Sequence, residues 1–425
     1  MALRCVCLIL TLCTCSSAAD TWDDFANNLA TDLAPILQLF GEQVTKQFLS
    51  ESTSRLDNII FAMAPLGIIT AVVSVIRVCG SPLLRAFIGK AQEGAGVAEA
   101  ELCSSTGRDV CEMYQNGAIT RVFGRPQILE IVHDRCGENF YTPEDGEEYA
   151  PAGIYTFSEY QRTRQGKAEW VDRGEKAAPG PLDDGEASAG LEPRVGEFAL
   201  NPNLMLNIGF RRPSRRTLLS LAVFSVLLQA SVIAYAIIAE RHLKLMKEDQ
   251  PPPAWGLPLT IIGTVVLCTG MFICAYLIEQ STMERTFDRK KLPVDEQQPQ
   301  STIHWIQPGG QVVGDHSFDS FAYSDLERPL KEYISSWRRS APLQESRWTW
   351  VAVSVTMIGF IVQFVGLRAV HSTVSVFQLG AVLLMSILRA LLRTKRLDIG
   401  ANRITRRPLV AQITGHELDW LAFDL

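Results

Sequence analysis

The chain has 425 residues, 47% of them hydrophobic, and a formal net charge of −6. That balance leaves no basic footprint for a nucleic acid, which needs concentrated lysine and arginine. The apolar residues gather in blocks between charged stretches, which points to an all-α membrane protein of about five transmembrane helices with a small α+β cytosolic element.

Residues 1–19 read as a signal peptide: Arg4 supplies the positive start, residues 5–14 the apolar stretch, and Ser17-Ala18-Ala19 a small-residue cleavage site that leaves Asp20 as the new N-terminus. The other reading of this segment is an uncleaved anchor. Four cysteines, Cys5, Cys7, Cys13 and Cys15, fall inside it as apolar filler. Residues 20–58 carry apolar side chains three or four apart, from Phe25 through Leu29, Leu33 and Phe40 to Phe48. This stripe predicts an amphipathic luminal helix, kinked or split at Pro35, which either lies on the membrane face or packs against the spans.

Five stretches approach the roughly 20 apolar residues that a span requires: 59–76, 217–239, 254–278, 348–367 and 372–388. Trp348 and Trp350 sit where interfacial anchors belong, and Arg389 follows the last block at a position from which it can snorkel to the headgroups. Arginine and lysine lie after the first span (Arg77, Arg85, Lys90), before the second (Arg211, Arg212, Arg215, Arg216), after the third (Arg285, Arg289, Lys290, Lys291), before the fourth (Arg338, Arg339, Arg347) and after the fifth (Arg389, Arg393, Lys395, Arg396, Arg403, Arg406, Arg407). Alternating crossings put all five groups on one side, which the positive-inside rule makes cytosolic. Arg241, Lys244 and Lys247 run against the pattern without reversing it.

The cytosolic mass is then a folded element at 79–136, a flexible linker at 137–210, a loop at 279–347 and a basic tail at 389–425. "ITRVFGRPQILEIVHD" holds two strand-like runs broken by Gly124-Arg125-Pro126, whereas "GEKAAPGPLDDGEASAG" is too poor in apolar residues to order itself. In the later loop, Gln307-Pro308-Gly309-Gly310 fits a type II turn, with "TIHWIQ" and "QVV" as the strands of a hairpin at 302–314 and a helix expected from about Asp325.

Candidate chemistry is sparse. Cys103, Cys111, His133 and Cys136 provide only one close pair, where a structural zinc site brings its ligands as tight pairs, so reduced thiols are the better reading. His304, Asp315 and Ser317 lie near one another in sequence with nothing to orient them as a triad. Phosphate-loop, nucleophile-elbow and zinc-protease motifs do not occur. The spans hold no ionisable residue; Gln229, Gln363 and Gln378 are their most polar members and read as hydrogen bonds between helices. Gly67 and Ala71 form a small-residue pair that can seat a neighbouring helix. The chain therefore reads as a non-enzyme with no catalytic, cofactor or metal residues.

The strings "LAPILQLFGEQVTKQFLSESTSRLDNIIFAMAPLGIITAVVSVIRVCG", "RVFGRPQILEIVHD", "WIQPGGQVVGDHSFDSFAYSD" and "GHELDWLAF" resemble an uncharacterised family of multi-pass membrane proteins from filamentous fungi, over the stretch from about residue 30 onward. Some of its members carry ankyrin repeats or long cytosolic regions after the spans. The resemblance implies a membrane fold and transfers no functional residues. The expected function is binding or scaffolding from a cytosolic platform in a secretory-pathway membrane, endoplasmic reticulum or plasma membrane. The partners would be the lipid bilayer and a cytosolic protein or further copies of the chain. A channel or transporter without evident ion-coupling residues is the alternative.

Overall fold

The computed structural model describes residues 38–39, 41–52, 54–115, 118–134, 153–175, 198–209, 212–245, 252–290, 301–326, 329–339 and 345–394. The signal segment, Pro35, Cys136 and the tail beyond Thr394 lie outside them. In chain order the elements are α1 (Glu42–Ser50), α2 (Arg55–Ala62), α3 (Ile68–Cys79), α4 (Pro82–Phe87), α5 (Ala95–Leu102), β1 (Val110–Gln115), β2 (Ala118–Phe123), β3 (Leu129–Asp134), β4 (Ile154–Tyr155), α6 (Phe157–Tyr160), α7 (Arg164–Glu169) and β5 (Trp170–Glu175). After a π-helical turn at Met205–Gly209 come α8 (Arg215–Arg241), α9 (Gly256–Gln280), β6 (Thr282–Arg289), β7 (Ser301–Gln307), β8 (Gln311–Val313), β9 (His316–Phe318), β10 (Phe321–Ser324), β11 (Glu332–Arg338), α10 (Glu345–Ala369) and α11 (Ser372–Leu392). They form two compact units, a helical one from Met1–Ala98, Arg212–Ser281 and Ser340–Thr394, and a strand-rich one from the intervening segments.

In the helical unit, four helices among the described residues are long and apolar enough to cross a membrane: α8, α9, α10 and α11. They cover the expected spans at 217–239, 254–278, 348–367 and 372–388. The fifth expected span, 59–76, is not one helix. It is divided between α2 and α3, with Met63 extended, Ala64 at φ 47° and Gly67 at φ 73° between them. The cause is in the residues: Pro65 cannot continue a helix, and Gly67 takes the left-handed conformation that starts α3. The 20–58 helix is divided too, since α1 stops at Ser50 and Ser54 caps a new helix by accepting from the Asp57 amide. Of its apolar stripe, Phe48 is buried and stacked on Phe61 whereas Val44 is exposed, and the positions from Phe25 to Phe40 lie outside the described residues. Of the Gly67/Ala71 pair, Gly67 lies against Thr45 of α1.

α9 and α10 are pressed together by glycines seven apart. A β-carbon at Gly256 would meet that of Ala369 at 2.9 Å, one at Gly263 the Cα of Gln363 at 2.5 Å, and one at Gly270 the amide of Thr356 at 2.6 Å. Gly359 and Gly366 return the approach against Leu267 and Thr260. The opposed numbers show an antiparallel pair whose backbones touch, a packing that membrane helices favour because small residues admit close van der Waals contact. At the end where α8 gives way to α9, Ala236, Ala239, Leu257, Leu367, Val370 and Val374 cluster.

The strand-rich unit corrects the expected loop layout. A four-stranded antiparallel sheet runs β10-β7-β3-β4 and a three-stranded one β11-β6-β5. Thus β3 from the first loop pairs with β7 from the later one, Val132 opposite Ile303, and β5 pairs with β6. The folded element therefore begins at Glu99 instead of residue 79, since the chain up to Ala98 belongs to the helical unit, and it is discontinuous in sequence. Much of the expected 137–210 linker belongs to it, because Phe157, Tyr160, Trp170, Leu204 and Ile208 are core residues; 137–152 and 176–197 lie outside the described residues. Asn203 and Asn207 strap residues 198–209 to β11, each side-chain amide bonding an amide and a carbonyl of that strand, as a neighbouring strand would. The core joins both sheets, with Phe157 stacked on Tyr333 and edge-on to Trp170.

The 302–314 hairpin does not form. β7 pairs with β3 and β10, whereas β8 pairs with β9, and the positive φ falls on Gly310 instead of Gly309. Every residue of β7 is buried, as suits an inner strand covered on both faces. The segment after Asp325 is the strand β11, not a helix.

Candidate functional site at a break in two short helices

The main concentration of buried polar groups in the helical unit surrounds the end of α2. Each α-helix leaves its last carbonyls without intrahelical partners. Here they are met by Arg389, near the end of α11 and 3% exposed. Its Nη2 shares two N–H bonds among the carbonyls of Ile60 (2.9 Å), Phe61 (3.0 Å), Met63 (2.5 Å) and Ala64 (3.2 Å), and its Nε donates to Ile60 (3.2 Å). The guanidinium also lies over the Phe61 ring. Arg389 therefore turns into the protein, and the expected snorkel toward headgroups is not seen: four bare carbonyls hold a positive fork more favourably than an apolar helix end does.

The Ala64 amide, which helix geometry would direct at the Ile60 carbonyl, donates to Oε1 of Gln229 at 3.0 Å. That bond fixes the Gln229 amide, whose Nε2 donates to Oε1 of Gln378 at 3.1 Å. Gln363 donates to the Thr264 hydroxyl at 3.0 Å. All three glutamines thus bond across helices, as their sequence positions led us to expect. One turn beyond Arg389, Arg393 lies 3.4 Å from Glu51 and 3.3 Å from Asp57 and over the Phe48 ring. Asn58 donates to Glu279 and accepts from Ser52.

The sequence signal that points to this cluster is Pro65 and Gly67 within an otherwise continuous apolar run. Arg389 reads from sequence as a snorkelling residue because it stands one residue outside the span that hydropathy marks.

The strand-rich unit has a second set of buried charges. Glu130 accepts from Trp305 Nε1 (2.8 Å), the Tyr333 hydroxyl (2.8 Å) and the Phe157 amide (3.2 Å), and burial raises its carboxyl above the usual range. Arg289 bridges Glu169 (2.9 Å) and Asp325 (2.8 Å) over the face of Trp170. Asp325 also accepts from the Ile303 amide, and burial outweighs Arg289 in raising its carboxyl. These groups bind one another and the strands, which makes them structural ties.

The residues weighed as a triad are separated. His304 is buried on inner strand β7, Asp315 occupies the exposed turn between β8 and β9, and Ser317 is exposed on β9. Cys111 packs with Met113, Val122 and Phe318, its thiol pushed by burial up to about 12; His133 is on β3, and Cys103 is buried at the end of α5. Among the described residues no three His, Cys, Asp or Glu side chains gather as metal ligands. Compared with protein-family models, with curated proteins and with solved structures, the chain finds no match.

Proposed function

We propose that this is a multi-pass membrane protein that acts by binding, with the strand-rich unit as its platform in the cytosol. The observation that carries this reading is that the unit is built from two loops. Residues 99–211 lead into α8, and 282–339 leave α9. Two crossings, out by α8 and back by α9, return the chain to the side it left, which is what pairing of β3 with β7 requires. The flanking arginines make that side cytosolic.

Two observations support the membrane itself. Outward side chains of the long helices are apolar, among them Leu227, Ile262, Ile358, Ile361 and Leu383. The α9–α10 register sets Trp348 level with residue 278, so Trp255 and Trp348, both more than half exposed, lie about 34 Å apart along the helix axes. The hydrocarbon layer between two such aromatic belts is about 30 Å thick.

With its buried charges tied internally, the unit offers a rigid surface on which Leu129, Ile154, Val171 and Val312 are exposed. Co-purification of the full chain in mild detergent, followed by mass measurement of the intact particle, is the test. A stoichiometric protein partner or a multiple of the chain mass is expected; a single copy recovered alone overturns it.

The break beside Gln229 favours a second reading, a channel or transporter, because unwound backbone at membrane depth occurs where it is enclosed by protein or lines a polar path. Solute flux in reconstituted vesicles that is lost with Gln229→Leu would support it, and no flux across a panel of ions and small solutes would exclude those substrates.

A further inference from the structure

α2 and α3 are too short to cross. Eight and twelve residues span about 12 and 18 Å, against about 30 Å of hydrocarbon. Where they begin and end is fixed by contacts within the helical unit. At the start of α2, Asn58 bonds Glu279, in the last turn of α9, and Asp57 faces Arg393, just past α11. At the break, Ala64 meets Gln229, the fifteenth of the 27 residues of α8, which is about its midpoint. At the end of α3 the chain is back where it started: the Cys79 thiol faces the Leu277 carbonyl at 3.5 Å, and Thr349, in the first turns of α10, donates to the Cys79 carbonyl at 3.2 Å. The cluster at the opposite end of the bundle contains no residue of α2 or α3.

We propose that residues 55–79 are a re-entrant hairpin. It dips into the membrane from the face where α9 ends and α10 begins, turns at Met63–Gly67 near mid-depth, and leaves by the same face, with Arg389 latching its apex. The proposal explains why an arginine is buried among apolar helices: backbone that unwinds away from water must have its polar groups satisfied by protein, and the Arg389 fork and Gln229 do so. It also explains Ala64, held at a positive φ that a side-chain-bearing residue rarely adopts. Four crossings remain, so Arg55 and the end of α11 share a side, which replaces the luminal placement expected for 20–58; a crossing at 59–76 would put Arg55 opposite.

The test uses the full chain in sealed vesicles with single added cysteines at exposed positions: Arg55→Cys, Phe87→Cys beyond α3, and Leu243→Cys between α8 and α9. Leu83→Cys is a second choice for the position beyond α3. A membrane-impermeant maleimide is applied before and after permeabilisation, with the parent chain as background. Arg55→Cys and Phe87→Cys are expected to react from one side and Leu243→Cys from the other. Reaction of Arg55→Cys and Phe87→Cys from opposite sides overturns the hairpin, whatever the partner or flux experiments give.

Discussion

Replacing Arg389 by methionine keeps an unbranched apolar stem and removes the Nε and Nη2 N–H groups that serve the carbonyls at the end of α2. Four carbonyls, those of Ile60, Phe61, Met63 and Ala64, lose these donors in surroundings that exclude water. Each buried acceptor left bare costs about 1–3 kcal/mol. Removing the guanidinium relieves its own burial, which offsets part of that sum. At the low end of the range per carbonyl, the net loss is about 3 kcal/mol, a large share of a typical folding free energy of about 5–15 kcal/mol. Arg389→Lys should retain part of it, since an ammonium supplies three donors at one point but not the planar Nε–Nη2 edge that spreads them over these oxygens. The assay is thermal or denaturant unfolding of the detergent-solubilised chain, followed by the monodisperse fraction on size exclusion. The expected order of stability is parent, then lysine, then methionine. A methionine variant as stable as the parent would show that the latch contributes nothing and would refute the argument.

Gly263→Ala would push a methyl group into the Gln363 backbone, forcing α9 and α10 apart at a cost of about 1–3 kcal/mol; its melting temperature should drop, whereas Gly94→Ala, with open space around it, should leave it unchanged. Glu130→Gln replaces one of two acceptor oxygens by an NH2 group that cannot receive the Trp305, Tyr333 and Phe157 donors together, so denaturant unfolding read by tryptophan fluorescence should show a loss of about 1–3 kcal/mol. Burial raises the Glu130 and Glu99 carboxyls in the folded state. The folded chain therefore holds protons that the unfolded chain has released, and this stabilisation is full below the ordinary carboxylate pKa and declines as pH climbs through the raised values. Unfolding free energy measured across that window should decrease with pH, with a shallower slope in Glu130→Gln.

Hydropathy makes α8 to α11 legible because each meets its own length requirement locally. The same window averages across Pro65 and Gly67, so α2 and α3 merge into an apparent span, although a proline followed by glycine two residues later is the local signal of a break. β2 and β3 are legible as runs, but their neighbours are not. "TIHWIQ" looks like half of a hairpin with "QVV" because a Pro-Gly-Gly turn lies between them; its actual partner is chosen by the burial of Ile303 and Trp305 in a core supplied by distant segments. The linker reading fails for a related reason. Phe157, Tyr160 and Trp170 are few among polar residues, yet each fills a place in that shared core, and average composition over 137–210 hides them. The glycine spacing along α9 and α10 is visible in the sequence, but its meaning depends on which helix faces which.

The stitching of two loops into one sheet unit constrains how the protein is made. β3 leaves the ribosome about 170 residues before β7, and at about 5–20 residues per second the edge it presents to β7 waits roughly 8–34 s for its partner. On the proposed membrane reading, α8 and α9 must be inserted and returned to the same side during that interval, or β7 and β6 emerge where β3 and β5 are not. Translation speed is thereby coupled to the closing of the strand-rich core. An insertion defect in α8 should show itself first as exposed strand edges at a distance, captured by chaperones or lost to aggregation.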